Sequence, residues 1–369
     1  MTVRVLVLEP YYGGSHRAVL DGLLERMDID ADVLTLPARK WKWRMRGAAI
    51  TMARETIELR QQRGSGDACH EPGWDLIFAS TFVNLAEFYG LAGDAVAGVP
   101  SIVYFHENQL VYPNRHEAEW DFQFPLTNIT SALAATLCMF NTSYTRDTFL
   151  EGIEPFIRAF PDHRPTGLAE QIRAKSIVIP PPFDPQPFDA AGLERGVRPR
   201  IVWPHRWEHD KDPDRFLEAI SQLAAEDLDF EVALAGQAFR DIPESISRAR
   251  EVLGERLVHI GQPDGRDEYA RLLRSSDIAV STARNEFFGL AMIEAAYSGC
   301  YPLVPDALAY PEIYPAENRY RDASQLVARL RSLVVDRPAP GQGRGLAEAF
   351  TFERLVPAYA GAFGRAVSS

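Results

Sequence analysis

A chain of 369 residues, 46% hydrophobic and 24% charged, has ordinary globular composition and is long enough for two domains of typical size. The net charge of -12 excludes a uniformly basic coat for nucleic acid, because binding to polyphosphate relies on clustered lysine and arginine, so any contact with RNA must be local. No apolar run approaches the roughly 20 residues of a membrane span, and we expect a soluble protein with no membrane partner.

The cysteines and the N-terminus predict a cytoplasmic location. Cys69, Cys138 and Cys300 lie far apart, without the paired spacing of a zinc site or the density of a secreted disulfide scaffold. The first residues, Met1–Leu8, have neither a basic region nor a small-residue cleavage site, so we expect no signal peptide.

Short apolar runs alternate with longer helix-like stretches in the first half of the chain. Such runs are typical of strands covered on both faces and predict a mainly parallel α/β sheet. The predicted strands are Val3–Leu8, Asp32–Leu36, Asp75–Ala79, Ser101–Phe105, Leu137–Phe140 and Ser176–Ile179.

A glycine pair follows the first predicted strand. The segment Tyr11–His16 opens a helix, and Gly13 and Gly14 let the backbone approach a bulky or charged group at the helix N-terminus. Glycine turns of this kind are common, so the pattern alone is a weak indication of a ligand, with phosphate as the default.

A basic and aromatic patch follows the second predicted strand. The segment Arg39–Arg46 contains five cations, two tryptophans and no acid. Phosphate neutralisation beside stacking surfaces is typical of single-stranded or loop RNA binding. A solvated face with a tryptophan packed beneath it fits equally well, and the residues alone leave both interpretations open.

Four polar residues, His106-Glu107-Asn108-Gln109, follow the strand Ser101–Phe105 where the chain leaves the core. Such a density of polar side chains at a strand end suits hydrogen bonding to a polyol. A lone histidine at this position would more often be structural.

The prolines from Pro180 to Pro187 interrupt the strand pattern, because proline fixes φ and removes a ladder donor, and they mark a domain boundary. The pattern then restarts, which predicts a second doubly wound unit. Its predicted strands are Arg200–Trp203, Phe230–Leu234, Leu257–Ile260, Asp277–Val280 and Tyr301–Val304.

Two helices of the second half are well marked. Asp212 can cap a helix whose first position suits Pro213 and whose apolar stripe is formed by Phe216, Ile220 and Leu223. After the proline- and glycine-rich stretch near residues 338–343, residues 352–367 predict a final helix.

These elements predict two Rossmann-like, doubly wound parallel-sheet domains that face each other across a cleft, with ligands at the carboxyl ends of the strands. We assign residues 1–190 to an acceptor-side domain and residues 191–351 to a nucleotide-sugar-binding domain. The C-terminal helix, residues 352–369, is expected to pack back on the first domain.

Two segments of the second domain carry charged residues after predicted strands. In Trp203–Lys211, Arg206 and Lys211 can neutralise a diphosphate, and fixed cations lower the barrier as a nucleoside diphosphate departs. The alternative is a surface salt-bridge network with Glu208 and Asp210.

The other segment is Asn285–Ala296, which starts a helix after a strand. We expect Glu286 in the loop, where it can accept from sugar hydroxyls, and Glu294 about two turns into the helix, where it can take a ribose diol. The amides near Gly289 and Leu290 can hold phosphate. The alternative is an ordinary amphipathic helix with two solvated glutamates.

At these residues the chain resembles the retaining sugar-nucleotide glycosyltransferases of family 4, which have the GT-B fold and pair two glutamates with seven residues between them. The resemblance implies that Glu286 binds donor-sugar hydroxyls, Glu294 binds ribose, Arg206 and Lys211 bind diphosphate, and His106 faces the reacting sugar. It implies that no metal or cofactor is needed. Donor binding is expected from Gly13, Gly14, Arg206, Lys211, Glu286, Phe288, Gly289, Leu290 and Glu294.

A more specific resemblance, to the tRNA-queuosine mannosyltransferases, covers most of the chain. The matching segments are Glu9–His16, Leu36–Trp41, Tyr104–Leu110, Pro161–Pro165 and Trp203–Pro213. It implies transfer of mannose from GDP-mannose to the cyclopentene diol of queuosine in an anticodon loop, with tRNA as partner. The residues expected to bind acceptor or RNA are Ser15, His16, Arg39, Lys40, Trp41, Lys42, Trp43, Arg44, Glu107, Asn108, Gln109, His163 and Arg164.

The expected mechanism is front-face displacement with retention, which needs no protein nucleophile, unlike the paired carboxylates of retaining glycosidases. Three alternatives remain open. They are a family 4 transferase acting on a small-molecule, lipid or glycan acceptor, a non-catalytic RNA- or nucleotide-binding protein of the same shape, and a hydrolase or epimerase.

Overall fold

The computed structural model describes residues 2–63, 73–111, 121–189, 195–237 and 243–369, so that Cys69 lies outside the described residues. The chain forms two compact units: unit 1 comprises Met1–Pro182 and Phe352–Ser369, and unit 2 comprises Phe183–Thr351. Among the described helices, none combines the length and the apolar character that crossing a bilayer requires.

Unit 1 contains a six-stranded parallel sheet in the order β2-β1-β3-β4-β5-β6. The strands are β1 (Val3–Tyr12), β2 (Ile29–Pro37), β3 (Leu76–Ser80), β4 (Ser101–Phe105), β5 (Leu137–Phe140) and β6 (Ser176–Val178). The helices before the end of β6 are α1 (Gly14–Arg26), α2 (Trp41–Arg63), α3 (Leu85–Ala92), α4 (Gln123–Ala134), α5 (Ser143–Arg158) and α6 (Leu168–Arg173).

Alternate residues of β1 enter the two halves of the core of unit 1. Leu6 and Leu8 join the cluster that packs against α2 to α5, whereas Val5 and Val7 join the cluster on the opposite face. This alternation follows from the two-residue period of a strand. Both faces of the sheet are therefore covered, which explains the near-continuous apolar character of its strands.

Unit 2 contains a six-stranded parallel sheet in the order β12-β11-β10-β7-β8-β9. The strands are β7 (Arg200–Trp203), β8 (Glu231–Ala235), β9 (Leu257–Gly261), β10 (Ile278–Val280), β11 (Tyr301–Pro305) and β12 (Arg319–Tyr320). The helices are α7 (Pro213–Ala225), α8 (Glu244–Leu253), α9 (Gly265–Arg274), α10 (Leu290–Tyr297), α11 (Tyr310–Ile313), α12 (Ala323–Val335) and α13 (Arg344–Ala347). This strand order is the doubly wound one, and the direction of winding reverses between β7 and β10.

Helix α7 begins as predicted. The side chain of Asp212 accepts a hydrogen bond from the backbone amide of Arg215, and Pro213 occupies the first helical position. Phe216, Ile220 and Leu223 are fully buried.

The last helix, α14 (Phe352–Val367), belongs to unit 1 and has the predicted bounds. The hydroxyl of Tyr359 donates to the backbone oxygen of Pro180 at 3.2 Å. The ring of Phe363 lies 5.2 Å from that of Phe78 on β3. The face of the sheet that carries Val5 and Val7 is therefore covered by α14 together with α1.

The α/β class with two parallel sheets is confirmed, and each predicted strand overlaps an observed one. Two details differ. Strand β1 continues through Tyr11 and Tyr12, because Tyr12 still pairs with Pro37 of β2, so the predicted glycine turn starts only at Gly13. Strand β12 was not predicted, since its two residues are too short for a period to show.

Candidate active site

The segments after β7 and β10 meet at the point where the winding of the sheet in unit 2 reverses. The backbone amide of Arg284 donates to the backbone oxygen of Asp210 at 2.7 Å. The hydroxyl of Thr282 lies 2.9 Å from the backbone oxygen of Lys211 and accepts from the indole of Trp203 at 3.0 Å. Ligands of open α/β sheets bind at such reversal points, beyond the carboxyl ends of the strands.

Lys211 is a buried cation at this position, and its side chain is only 8% exposed. Its Nζ lies 2.7 Å from the backbone oxygen of Asn285, 3.2 Å from Oε2 of Glu286 and 3.3 Å from Oδ2 of Asp210. Burial lowers the pKa of Lys211, but the carboxylates of Glu286 and Asp210 more than offset it, so the pKa is raised. Lys211 is therefore charged at neutral pH.

Glu286, the predicted sugar-binding carboxylate, is the partner of Lys211. Burial raises the pKa of Glu286, yet the ammonium of Lys211 outweighs burial and the pKa is lowered. Its Oε2 faces Lys211, and its Oε1 accepts a long hydrogen bond of 3.5 Å from the backbone amide of Phe288. Glu286 is thus an ionised carboxylate with acceptor capacity left on Oε1.

His205 contributes a buried imidazole beside this ion pair. Among the described residues, its Nε2 has no hydrogen-bond partner. Burial, with a further contribution from Lys211, lowers the pKa of His205 to about 3. The side chain is therefore neutral at neutral pH.

A cavity of about 400 Å³ opens next to His205, within the volume range of small-ligand sites. Arg206 lines it and keeps 53% of its side chain exposed, with a guanidinium nitrogen 3.3 Å from Oε2 of Glu208. The alternative salt-bridge network is thus partly present, since Arg206 faces Glu208 and Lys211 faces Asp210. Lys211, however, is buried rather than part of a surface network.

Helix α10 starts directly after the loop that carries Glu286. Gly289 has a φ of 86°, and a Cβ atom at this position would lie 3.1 Å from the ring of Tyr310, so glycine is required there. The helix begins at Leu290, so Glu294 lies little more than one turn into it, and the prediction of two turns was wrong. The ring of Phe288 packs against Phe350 in the core, so any contact of Phe288 with a donor would be through its backbone.

Glu294 has a partner that the sequence did not indicate. Its Oε1 lies 2.6 Å from a guanidinium nitrogen of Arg266, which lines the cavity. Burial raises the pKa of Glu294, and Arg266 only partly opposes this. Arg266 occupies the first turn of α9, the helix that follows β9. A cation at that position, beyond the carboxyl end of a strand, is the feature of the sequence that could have indicated its role.

In unit 1, His16 and His106 lie together, with ring centroids 4.0 Å apart. Nδ1 of His16 is 3.2 Å from Oε2 of Glu9, whose Oε1 accepts from the hydroxyl of Ser80 at 3.1 Å. Burial, followed by the charge of His16, holds the pKa of His106 well below its usual value. The sequence analysis did not assign Glu9 to this group. Its carboxylate at the end of an apolar strand is the feature that could have indicated a polar site there.

The glycine turn lies close to the loop after β2. A Cβ atom on Gly13 would lie 2.5 Å from the Cβ atom of Ala38, so this glycine makes room for a neighbouring loop of the fold. Gly14 has a φ of 54° and starts α1, and Ser15 is exposed. Of this segment, His16 is the side chain that joins the polar cluster.

The residues after His106 mostly bond within the fold. Asn108 is fully buried; its amide donates to the hydroxyl of Thr148 at 3.2 Å and accepts from the backbone amide of Leu110 at 2.9 Å. The amide of Gln109 donates to Oε1 of Glu107 at 2.6 Å. The structure thus gives Asn108 a role in holding this turn.

The basic patch places its two tryptophans in different surroundings. The ring of Trp41 packs 5.0 Å from that of Phe124, whereas Trp43 is 67% exposed. Lys42 is exposed, and Arg44 donates to the backbone oxygen of Pro37 at 3.1 Å. A packed tryptophan and an exposed one coexist here, and Arg39 and Lys40 are also exposed.

The second predicted RNA surface is an exposed segment of unit 1. Residues 161–167 are all exposed, including His163, which has a φ of 45°. The guanidinium of Arg164 donates to the backbone oxygen of Phe160 at 2.8 Å. The side chains of His163 and Arg164 are therefore accessible at the surface of the unit.

The fold and unit 2 define a class. Residues 187–340 match the family model of glycosyl transferases group 1. The structure is similar to sucrose-phosphate synthase from Thermosynechococcus elongatus (14% identity, 99% of both chains, TM-score 0.70). It is also similar to Anabaena HepE in complex with UDP and glucose (16% identity, 99% of both chains, TM-score 0.64). The chain is a glycosyltransferase with the GT-B fold.

The family follows from the first half and from a relative that spans the whole chain. Residues 4–183 match the model of the tRNA-queuosine alpha-mannosyltransferase N-terminal region. A tRNA-queuosine alpha-mannosyltransferase of Drosophila melanogaster is 36% identical over 99% of this chain and 97% of its own length. The chain belongs to the tRNA-queuosine alpha-mannosyltransferase family. A Mycobacterium tuberculosis enzyme described as a GDP-mannose-dependent alpha-(1-6)-phosphatidylinositol dimannoside mannosyltransferase matches 40% of this chain and 39% of its own at 27% identity.

Proposed function

We propose that this enzyme transfers mannose from GDP-mannose to the cyclopentene diol of queuosine in tRNA, with retention of the anomeric configuration. The observation that carries the donor half of the proposal is the buried, charged Lys211–Glu286 pair beside the cavity of unit 2. The acceptor half is supported by the full-length similarity to the Drosophila relative, whose name specifies queuosine in tRNA.

In this proposal the cations of unit 2 stabilise the departing diphosphate. The bond between the anomeric carbon and the phosphate oxygen breaks as the acceptor oxygen bonds to the same face of the sugar, and a leaving-group oxygen takes the acceptor proton. Charge grows on GDP during this step, so cations fixed in advance lower the barrier. Arg206 is exposed enough to make a fork-shaped contact, whereas Lys211 already has three oxygen neighbours and acts mainly through its charge.

Glu286 is proposed to orient the transferred hexose rather than to attack it. Its pairing with Lys211 keeps it ionised, and its weakly engaged Oε1 can accept from a sugar hydroxyl. The amides at the start of α10 are proposed to hold phosphate, since the first amides of a helix have no partner within it. Glu294 and Arg266 are proposed to bind the ribose.

The test is transfer by the purified protein to queuosine-containing tRNA, with digestion to nucleosides and mass spectrometry. We expect a hexose mass shift on queuosine with GDP-mannose, one GDP released for each hexose transferred, and no product on tRNA that lacks queuosine. Equal transfer to the free queuosine nucleoside would favour a small-molecule acceptor. Free mannose without acceptor would indicate a hydrolase, and binding of GDP-mannose without any product would indicate a binding protein.

A further inference from the structure

The polar cluster of unit 1 has a donor set that the transfer reaction does not call for. Glu9, His16 and His106 each place one ligand-type atom so that the three atoms lie within 4.8 Å of one another. Among the described residues this is the group of histidines and carboxylates that meets the criterion for a cation. We propose that Glu9, His16 and His106 form a binding site for one divalent transition-metal cation of the zinc class.

The spacing of the cluster suits a tetrahedral ion. Zinc bonds to nitrogen and oxygen of about 2.0–2.1 Å place neighbouring ligands of a tetrahedron about 3.3 Å apart. Nδ1 of His16 and Oε2 of Glu9 are already 3.2 Å apart. Binding requires the lone pair of Nδ1, so the ring proton of His16 must then sit on Nε2. The cation would take the place of the hydrogen bond between these two residues.

The third ligand, His106, comes from the loop that follows β4. The ring of His106 lies 4.0 Å from that of His16 between centroids, and it is held edge-on against Tyr104 at 4.5 Å. Two imidazoles and one carboxylate are a known zinc donor set, with the fourth position left to water or another ligand. Imidazole nitrogen also favours zinc, copper or nickel over magnesium, which prefers oxygen ligands.

Glu9 is buried and oriented by hydrogen bonds, as metal ligands are and surface carboxylates are not. Glu9 is 4% exposed, and its second oxygen accepts from the backbone amide of Tyr11 at 2.9 Å and from the hydroxyl of Ser80 at 3.1 Å. Hydrogen bonds of this kind orient a metal ligand and raise metal affinity. A cavity of about 10 Å³, lined by all three residues, adjoins them and has the size of one water-sized sphere.

The cation is an effector of this site and not a reactant. If the proposed function holds, an ion bound to both imidazoles withholds His106 from the reacting sugar and His16 from the acceptor, so zinc inhibits transfer and a chelator restores it. This consequence rests on the proposed function, whereas binding of the ion does not. Binding is therefore measured on the protein alone, without donor or tRNA.

The experiment uses the full chain without a polyhistidine tag, freed of metal by a chelator and titrated calorimetrically with zinc chloride. Cobalt(II) serves as a second probe, because its visible absorption reports tetrahedral coordination. We expect one saturable zinc site that excess magnesium does not compete for. His16→Ala and Glu9→Gln should each weaken zinc binding at least about 10-fold.

The control His163→Ala removes an exposed imidazole of the same unit and should leave the zinc affinity unchanged. Thermal unfolding of each variant checks that it is folded, and Glu9→Gln keeps the shape of the side chain should His16→Ala not fold. Absence of a one-to-one site in the wild type overturns the proposal. Equal affinity in the wild type and in folded Glu9→Gln and His16→Ala variants overturns it as well.

Discussion

The pairing of Lys211 with Glu286 explains how two charged residues are kept inside unit 2. Taking a charge out of water is costly unless a partner and hydrogen bonds compensate, and removing one partner leaves the other uncompensated. Lys211 keeps Asp210 and the backbone oxygen of Asn285 when Glu286 is removed. Loss of Glu286 should therefore reduce function far more than it reduces folding.

We predict that Glu286→Ala lowers the rate of mannosyl transfer at least about 100-fold, the usual scale for losing one preorganised polar contact in a transition state. The free energy of unfolding should fall by only about 1–3 kcal/mol, because Lys211 retains two partners. Product is measured as the hexose mass shift of queuosine, and folding by thermal unfolding. Glu218→Ala, which removes an exposed glutamate of α7, is the control. Undiminished transfer by Glu286→Ala would exclude Glu286 from the site.

His205 makes the stability of unit 2 depend on pH. The pKa of His205 is about 3 in the folded chain and near 6.5 in the unfolded chain. As the pH falls, the unfolded chain is therefore protonated at His205 before the folded chain is. Its contribution to stability is therefore complete above pH 6.5 and is lost progressively as the pH falls towards 3. The imidazole of His106, whose pKa is also lowered, acts in the same direction in unit 1.

We predict that His205→Gln flattens the dependence of unfolding free energy on pH between about pH 6.5 and 5, where one such imidazole contributes up to about 1.4 kcal/mol per pH unit. Denaturant unfolding of wild type and variant across this window measures the difference. His209→Gln removes an exposed histidine of the same segment and should leave the slope as it is. Parallel curves for wild type and His205→Gln would show that His205 is not buried in its neutral form.

At the scale of elements, the contact between α1 and α14 joins the two ends of the chain within unit 1. Gly22 lies on α1, and a Cβ atom there would lie 2.0 Å from the ring of Phe352, which is 3% exposed. The guanidinium of Arg26 stacks 4.7 Å above the same ring. The ring of Phe352 thus fills the space that the glycine leaves.

We predict that Gly22→Ala lowers the free energy of unfolding by about 1–3 kcal/mol, the usual cost of overpacking a core. The double variant Gly22→Ala with Phe352→Leu should regain part of this loss, because leucine fills less of the notch. On α14, a Cβ atom added at Gly361 would meet no other described part of the fold within 4 Å beyond its own helix backbone, so Gly361→Ala should be neutral or stabilise by up to about 1 kcal/mol. Melting temperatures compare the variants, and a Gly22→Ala protein as stable as Gly361→Ala would contradict the packing described here.

The elements also show which parts of the fold local sequence determines. The cap at Asp212 and the buried stripe of α7 were predictable because their residues lie within one segment and follow the helical period. Long-range partners were not predictable. Arg266 meets Glu294 across 28 positions, and Lys211 meets Glu286 across 75, and each meeting depends on the order of strands in the sheet.

The same limit applies to the candidate sites. The sequence placed His16 and His106 after separate strands, and only the order of β1, β3 and β4 brings them into contact with Glu9. The sequence likewise left open whether the tryptophans of Arg39–Arg46 stack on RNA bases or pack within the fold. Phe124 contacts Trp41, whereas Trp43 is exposed, so one tryptophan packs within the fold and RNA binding by the patch stays a prediction.

For the molecule as a whole, the net charge of -12 has the same sign as the charge of a tRNA acceptor, which opposes their binding. Long-range repulsion between enzyme and tRNA has to be overcome by a local excess of cations, and such binding weakens as salt rises. Within the patch, Lys40 and Lys42 are exposed, while Arg44 already bonds to the backbone of the preceding loop. The two lysines, the exposed Arg39 and the exposed ring of Trp43 are therefore accessible to an RNA.

We predict that the pair Lys40→Ala and Lys42→Ala raises the KM for tRNA at least about 10-fold and leaves the affinity for GDP-mannose unchanged, because the proposed donor contacts involve neither lysine. The slope of log Kd for tRNA against log salt should fall by about 1 to 2, since two phosphate contacts are lost. Adding Trp43→Ala should weaken tRNA further without changing that slope, because stacking carries no net charge. The control Arg248→Ala with Arg321→Ala removes the same charge from exposed positions of unit 2. If both pairs weaken tRNA equally, net charge rather than the patch governs binding, and the assignment of residues 39–46 to RNA fails.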